Sequence, residues 1–110
     1  MVKRMEIKIT KKEKLKEVNN CMCHNFYYLI YGHIYNDEKT RYKKFRFVLW
    51  FDVFDILEYF EQDYYTKENI KEYIDVSIWG YLDLIHSYDD TTDFYNTCND
   101  TIERYNRICA

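Results

Sequence analysis

Cys21-Met22-Cys23-His24 is the densest group of soft metal ligands in this 110-residue chain. Two thiolates and an imidazole in four positions would hold zinc if a fourth ligand came from Cys98 or Cys109. Those two lie eleven residues apart in a segment with helical spacing. Eleven residues of helix rise about 16 Å, so they cannot serve one metal together. The C-x-C-H order also departs from the CxxC pairs of structural zinc sites. Reduced cysteine packing as a small hydrophobe accounts better for Cys98 and Cys109, which fall on an apolar stripe. The expectation is no metal and no cofactor.

Catalytic chemistry has less support. His24, His33 and His86 are scattered, and no nucleophile elbow or phosphate loop is present. With only Gly32 and Gly80, a glycine-rich phosphate cradle is excluded. The carboxylate pairs Asp52/Asp55 and Asp89-Asp90 suit helix caps and solvated faces better than acid–base work. The chain is expected not to be an enzyme.

What does stand out is a segregation of charge. Residues 1–46 hold twelve Lys/Arg against five Asp/Glu, a balance of +7, and residues 47–110 hold four against fourteen, a balance of −10. Packing of acidic helices beside a basic hairpin would cancel part of this, but the acidic excess is the larger. An acidic surface should remain and steer binding toward basic partners. Glu58, Glu61, Asp63, Glu68, Glu72 and Asp75 are the candidate residues there, each equally compatible with an ordinary solvated face. The basic half is also rich in tyrosine, five of the thirteen lying within residues 25–47.

These residues need elements to position them. Two β-rich runs, about 24–35 and 40–51, flank Asn36 to Lys39, a four-residue loop typical of hairpins. That loop pairs Phe26 with Leu49, Tyr28 with Phe47 and Ile30 with Phe45 on a core face. The opposite face pairs Tyr27 with Val48, Leu29 with Arg46, Tyr31 with Lys44 and His33 with Tyr42. Tyr27, Tyr31, His33, Tyr42, Lys44 and Arg46 therefore form a second candidate surface. It suits a protein partner, since Tyr is large, rigid and amphipathic, or stacked nucleic-acid bases.

Upstream, residues 5–10 alternate as a strand, and the capping-box spacing of Thr10 and Glu13 predicts a short helix from Lys11 to Val18, ended by Asn19-Asn20. Downstream, Asp52 starts a helix at about 53–62 with Val53, Phe54, Leu57 and Phe60 facing inward. Thr66 starts another at 67–87, lined by Ile70, Tyr73, Ile74, Ser77, Tyr81 and Ile85, although residues 74–82 also have strand composition. Phe94, Cys98, Ile102, Tyr105 and Cys109 give a last helix at about 92–108. The expected fold is one α+β domain over residues 1–110: a small antiparallel sheet built on the central hairpin, then three helices on one face. No apolar run reaches the ~20 residues of a membrane span, and no secretory h-region follows the basic N-terminus, so a cytoplasmic location is expected.

A small, single-domain, proline-free, Tyr-rich, acidic chain without a catalytic motif looks like the anti-CRISPR and related anti-defence proteins of phages and mobile elements. The likeness is one of type over the whole chain, with no motif through which a residue's role carries over. It implies a non-enzymatic inhibitor in the host bacterial cytoplasm. Its partner would be a basic nucleic-acid-handling protein, a CRISPR effector or its guide-RNA complex, kept from binding or cleaving DNA. The alternative is a small nucleic-acid-binding regulator working through the Tyr/basic hairpin face.

Overall fold

The alternating runs of the first half pair into an antiparallel sheet in the order β1 (Glu6–Asn19), β2 (His24–Tyr35), β3 (Tyr42–Asp52). Three helices follow: α1 (Val53–Phe60), α2 (Lys67–Ile85) and α3 (Thr91–Cys109). The computed structural model describes residues 6–35, 42–85 and 91–109. The hairpin loop expected at Asn36 to Lys39, His86 and the Asp89-Asp90 pair lie outside them. The α+β architecture is the expected one, and α2 is helical through residues 74–82.

Two expectations about the sheet are corrected. Lys11 to Val18 is not a helix but the continuation of β1, which pairs with β2 from Glu6↔Tyr35 to Asn19↔His24. A helix there would leave one edge of β2 without backbone partners, and the ladder satisfies those groups instead. The break in alternation at Thr10, which resembled a helix cap, is a register shift between Ile9 and Lys11; a second falls between Lys14 and Lys16. The hairpin register also differs. Phe26 pairs with Phe51, Tyr28 with Leu49, Ile30 with Phe47 and Tyr31 with Arg46, two residues along from the expected pairs. A shift of two preserves the side-chain faces, so the division into a core face and an opposite face stands.

The core face carries Phe26, Ile30, Ile34, Phe45, Phe47, Leu49 and Phe51, all buried. Gly32 sits among them because the Phe45 ring lies over it: a Cβ at Gly32 would stand 2.3 Å from that ring. Helix α1 starts from a reciprocal capping box, in which Asp55 N–H donates to Asp52 Oδ1 (2.9 Å) and Asp52 N–H to Asp55 Oδ2 (3.0 Å). It ends with Glu61 in the left-handed region, φ 52°. Its fully buried residue is Ile56, and Val53 and Phe60 pack against the core as expected, whereas Phe54, expected inside, is 74% exposed. Helix α2 is preceded by a similar exchange between Thr66 and Asn69. It buries Ile74, Ile78 and Leu82, and two of those three, Ile78 and Leu82, were not on the expected stripe. The side chain of Ile85, placed on that stripe, lies outside the described residues. Tyr73 meets Phe51 edge-on at 5.0 Å between ring centroids, and Tyr81 stacks on Phe47 at 4.4 Å.

Helix α3 does more than cover the core face. Its first half packs Phe94 edge-on to Phe45 and buries Cys98. Thr101 then meets the outer edge of β3, where its Oγ1 accepts from Val48 N–H at 2.9 Å. Further along, Tyr105 lies 5.5 Å from Tyr27 on the opposite face, and the Cys109 carbonyl accepts from Lys16 Nζ at 3.2 Å. The helix thus passes from one face of the sheet to the other around the β3 edge.

Candidate functional site

The face of the sheet turned away from the core is built in rows that run across the three strands. The pairing places Lys16, Tyr27 and Trp50 in one row and Glu13, Leu29 and Val48 in the next. Lys11, Tyr31 and Arg46 follow, then Lys8, His33 and Lys44, then Glu6, Tyr35 and Tyr42. Strand alternation places each row on the same face of the sheet.

Of the five expected residues on this face whose side chains are described, α3 covers one. Tyr27 is buried beneath Tyr105 and beside Trp50, and its phenol is raised above the ordinary value of 10 by burial and then by the Cys109 thiol. Beyond it the face opens. Tyr31 and His33 are half-buried, and Lys44 and Arg46 are exposed. Tyr42 holds its register position opposite Tyr35. Tyr31 donates to Glu13 Oε2 at 3.2 Å, and Lys11 Nζ stands 5.5 Å from the centre of its ring. A shallow depression of about 200 Å³ lies between the rows, lined by Thr10, Lys11, Tyr31, Gly32, His33, Lys44 and Phe45.

Lys8, Lys11 and Trp50 belong to this face, although the sequence pattern did not assign them to it. The alternation of Ile7 and Ile9 pointed to Lys8, but the break at Thr10 hid Lys11 behind an apparent helix start.

The second surface is the outer side of the helical layer. Glu58, Glu61, Asp63, Glu68, Glu72 and Asp75 are all exposed. Along α2, Glu68 and Glu72 lie one turn apart and lead into Val76 (38% exposed) and Trp79 (50% exposed). Lys71 Nζ lies 4.0 Å from Glu68. Asp75 pairs with Lys12 of β1, an ion pair that ties the acidic layer to the basic sheet. The two candidate surfaces therefore lie on opposite sides of the molecule.

Around Cys21 to His24 the side chains have other partners. His24 Nε2 is 2.9 Å from Glu17 Oε2, and its ring stacks on Phe26 at 4.8 Å. Asn20 Oδ1 accepts from the backbone N–H groups of Met22 and Cys23. Among the described residues no three His, Cys, Asp or Glu side chains are arranged to hold a metal ion, and no helix is long and apolar enough to cross a membrane. Burial pushes the Cys98 thiol up to about 12, so Cys98 is a packed, protonated group.

Compared with known proteins, the chain matches no protein-family model, no curated protein and no solved structure.

Proposed function

We propose that this chain is a non-enzymatic inhibitor. Its acidic helical layer docks on the cationic surface of a nucleic-acid-handling protein, of the kind a CRISPR effector uses to hold DNA. The observation that carries the reading is the outer face of α2: the exposed carboxylates Glu68, Glu72 and Asp75 run into half-exposed Trp79 and Val76. Carboxylates steer a cationic groove into contact, and a Trp beside them supplies the desolvated anchor that carries most binding energy. Glu58, Glu61 and Asp63 extend the same field from α1 and the segment after it.

The test is inhibition of DNA cleavage by a purified CRISPR effector–guide complex, with direct binding followed across salt concentration. The variants are Glu68→Lys with Glu72→Lys, and Trp79→Ala. The charge reversals should weaken binding and flatten its salt dependence, and Trp79→Ala should weaken it by about 2 kcal/mol, the hot-spot scale. Unchanged inhibition by still-folded reversal variants sinks the acidic-surface reading.

A further inference from the structure

We infer that the open sheet face is a second binding surface, and that its ligand is single-stranded RNA. The inference rests on the row geometry and is independent of the acidic-layer proposal. In two adjacent rows the central strand presents a ring with a cation on each side: Lys11–Tyr31–Arg46 and Lys8–His33–Lys44. Rings on the middle strand can take bases and the cations beside them the phosphates; Lys11 does so by leaving its place over the Tyr31 ring, 3.9 Å from Glu13. The two rings stand two residues apart on one strand, about 6.7 Å at the usual rise, so successive bases can be received by successive rows. The depression of about 200 Å³ falls between these same two rows, with the Gly32 backbone in its floor and Tyr31, His33, Lys11 and Lys44 around it.

Duplexes fit poorly. Base edges in an A-form duplex are stacked and its major groove is too narrow for side chains, so rings standing on a sheet face stack only on unpaired bases. The choice of RNA over DNA comes from Glu13. Its carboxylate sits in the row beside Tyr31, 3.2 Å from the phenol oxygen. A carboxylate on a polyanion-binding face repels phosphate, but it accepts a hydrogen bond from a ribose 2′-hydroxyl, which DNA lacks. Helices α1 and α2 lie on the far side of the sheet, where salt at ~0.1 M screens their field within about 10 Å, and the part of α3 that rounds onto this face covers the Tyr27 row, two rows away from Tyr31.

The experiment is fluorescence anisotropy of labelled oligouridylate and oligoadenylate, the matching single-stranded DNAs and an RNA duplex, titrated with the intact chain at low and moderate salt. Single-stranded RNA should bind most tightly. Tyr31→Ala should weaken it about tenfold, with Tyr31→Phe retaining most of the affinity. Lys44→Gln should lower the slope of log affinity against log salt by about 0.7, a change that loss of structure does not mimic. Glu13→Gln should narrow the gap between RNA and DNA. Lack of any RNA binding at low salt overturns the inference. So does equal weakening by Lys67→Gln with Lys71→Gln on the helical side, and DNA binding as tight as RNA overturns the assignment to RNA. The acidic-layer proposal is untouched by these outcomes, because Glu68, Glu72 and Trp79 are not on this face.

Discussion

At the scale of single residues, environment divides side chains that the sequence presents as equivalent. The four cysteines range from exposed Cys21, through half-buried Cys23 and Cys109, to buried Cys98. Only thiolates react with alkylating reagents, and burial keeps the Cys98 thiol at about 12. Native-state alkylation at neutral pH should modify Cys21 first and Cys98 only after unfolding, read by peptide mass spectrometry. Labelling of Cys98 as fast as Cys21 in the folded chain contradicts its place in the core. Glu17 offers a pH test. Hydrogen bonds from Lys14 first, then from His24, hold its carboxyl below the ordinary 4.5, while the same contact raises Lys14. A depressed folded value means that the group's stabilisation is full above its unfolded pKa and is lost as pH falls through the folded value. Glu17→Gln should therefore be less stable than the parent at neutral pH, and the gap should close as pH drops below 4.5. Urea midpoints across that range check it.

At the scale of elements, the two glycines make opposite predictions. Gly80 lies within α2, and a Cβ there meets nothing within 4 Å, so Gly80→Ala should stabilise by about 1 kcal/mol. At Gly32 the Cβ would collide with the Phe45 ring, and Gly32→Ala should cost roughly 1–3 kcal/mol. Urea denaturation of both variants measures the contrast. The hairpin and its faces were legible from the alternation of Phe26, Tyr28 and Ile30 against Tyr27, Leu29 and Tyr31, because parity survives an error of two in register. The register itself was not: Tyr35 pairs with Tyr42, whereas the expected four-residue loop would have set Tyr35 opposite Thr40. Reading Lys11 to Val18 as a helix rested on local spacing, whereas the partner that decided the matter, β2, is distant in sequence. Phe54 and Ile56 show the same limit. Both fit an apolar stripe, and only the direction in which α1 leaves Asp52 decides that Ile56 is inside. Of the site, Tyr31, His33, Lys44 and Arg46 were legible because alternation places them. The burial of Tyr27 was not, because it depends on α3 rounding the sheet edge.

At the scale of the whole molecule, a net charge of −3 conceals two opposed faces. At low ionic strength and neutral pH the chain should be retained on both anion- and cation-exchange resins and released from each by salt. Flow through the cation exchanger would show that the sheet lysines are neutralised within the fold. The two outer strands are protected by different means. β1 carries Lys8, Lys11, Lys12, Lys14 and Lys16 and two register shifts, all of which discourage another strand from pairing with it. The second half of β3 is apolar, with Phe47, Val48, Leu49, Trp50 and Phe51, and its outer edge at Val48 meets Thr101 of the following α3. During synthesis, β1 is therefore protected as soon as it emerges, while β3 waits for a helix translated some fifty residues later, Val48 and Thr101 being 53 apart. In that interval a nascent chain holds a sticky, unsealed strand. The vulnerable species on the ribosome is thus the chain that has its sheet but not yet α3, and a holdase chaperone acting on it would be needed for that window alone.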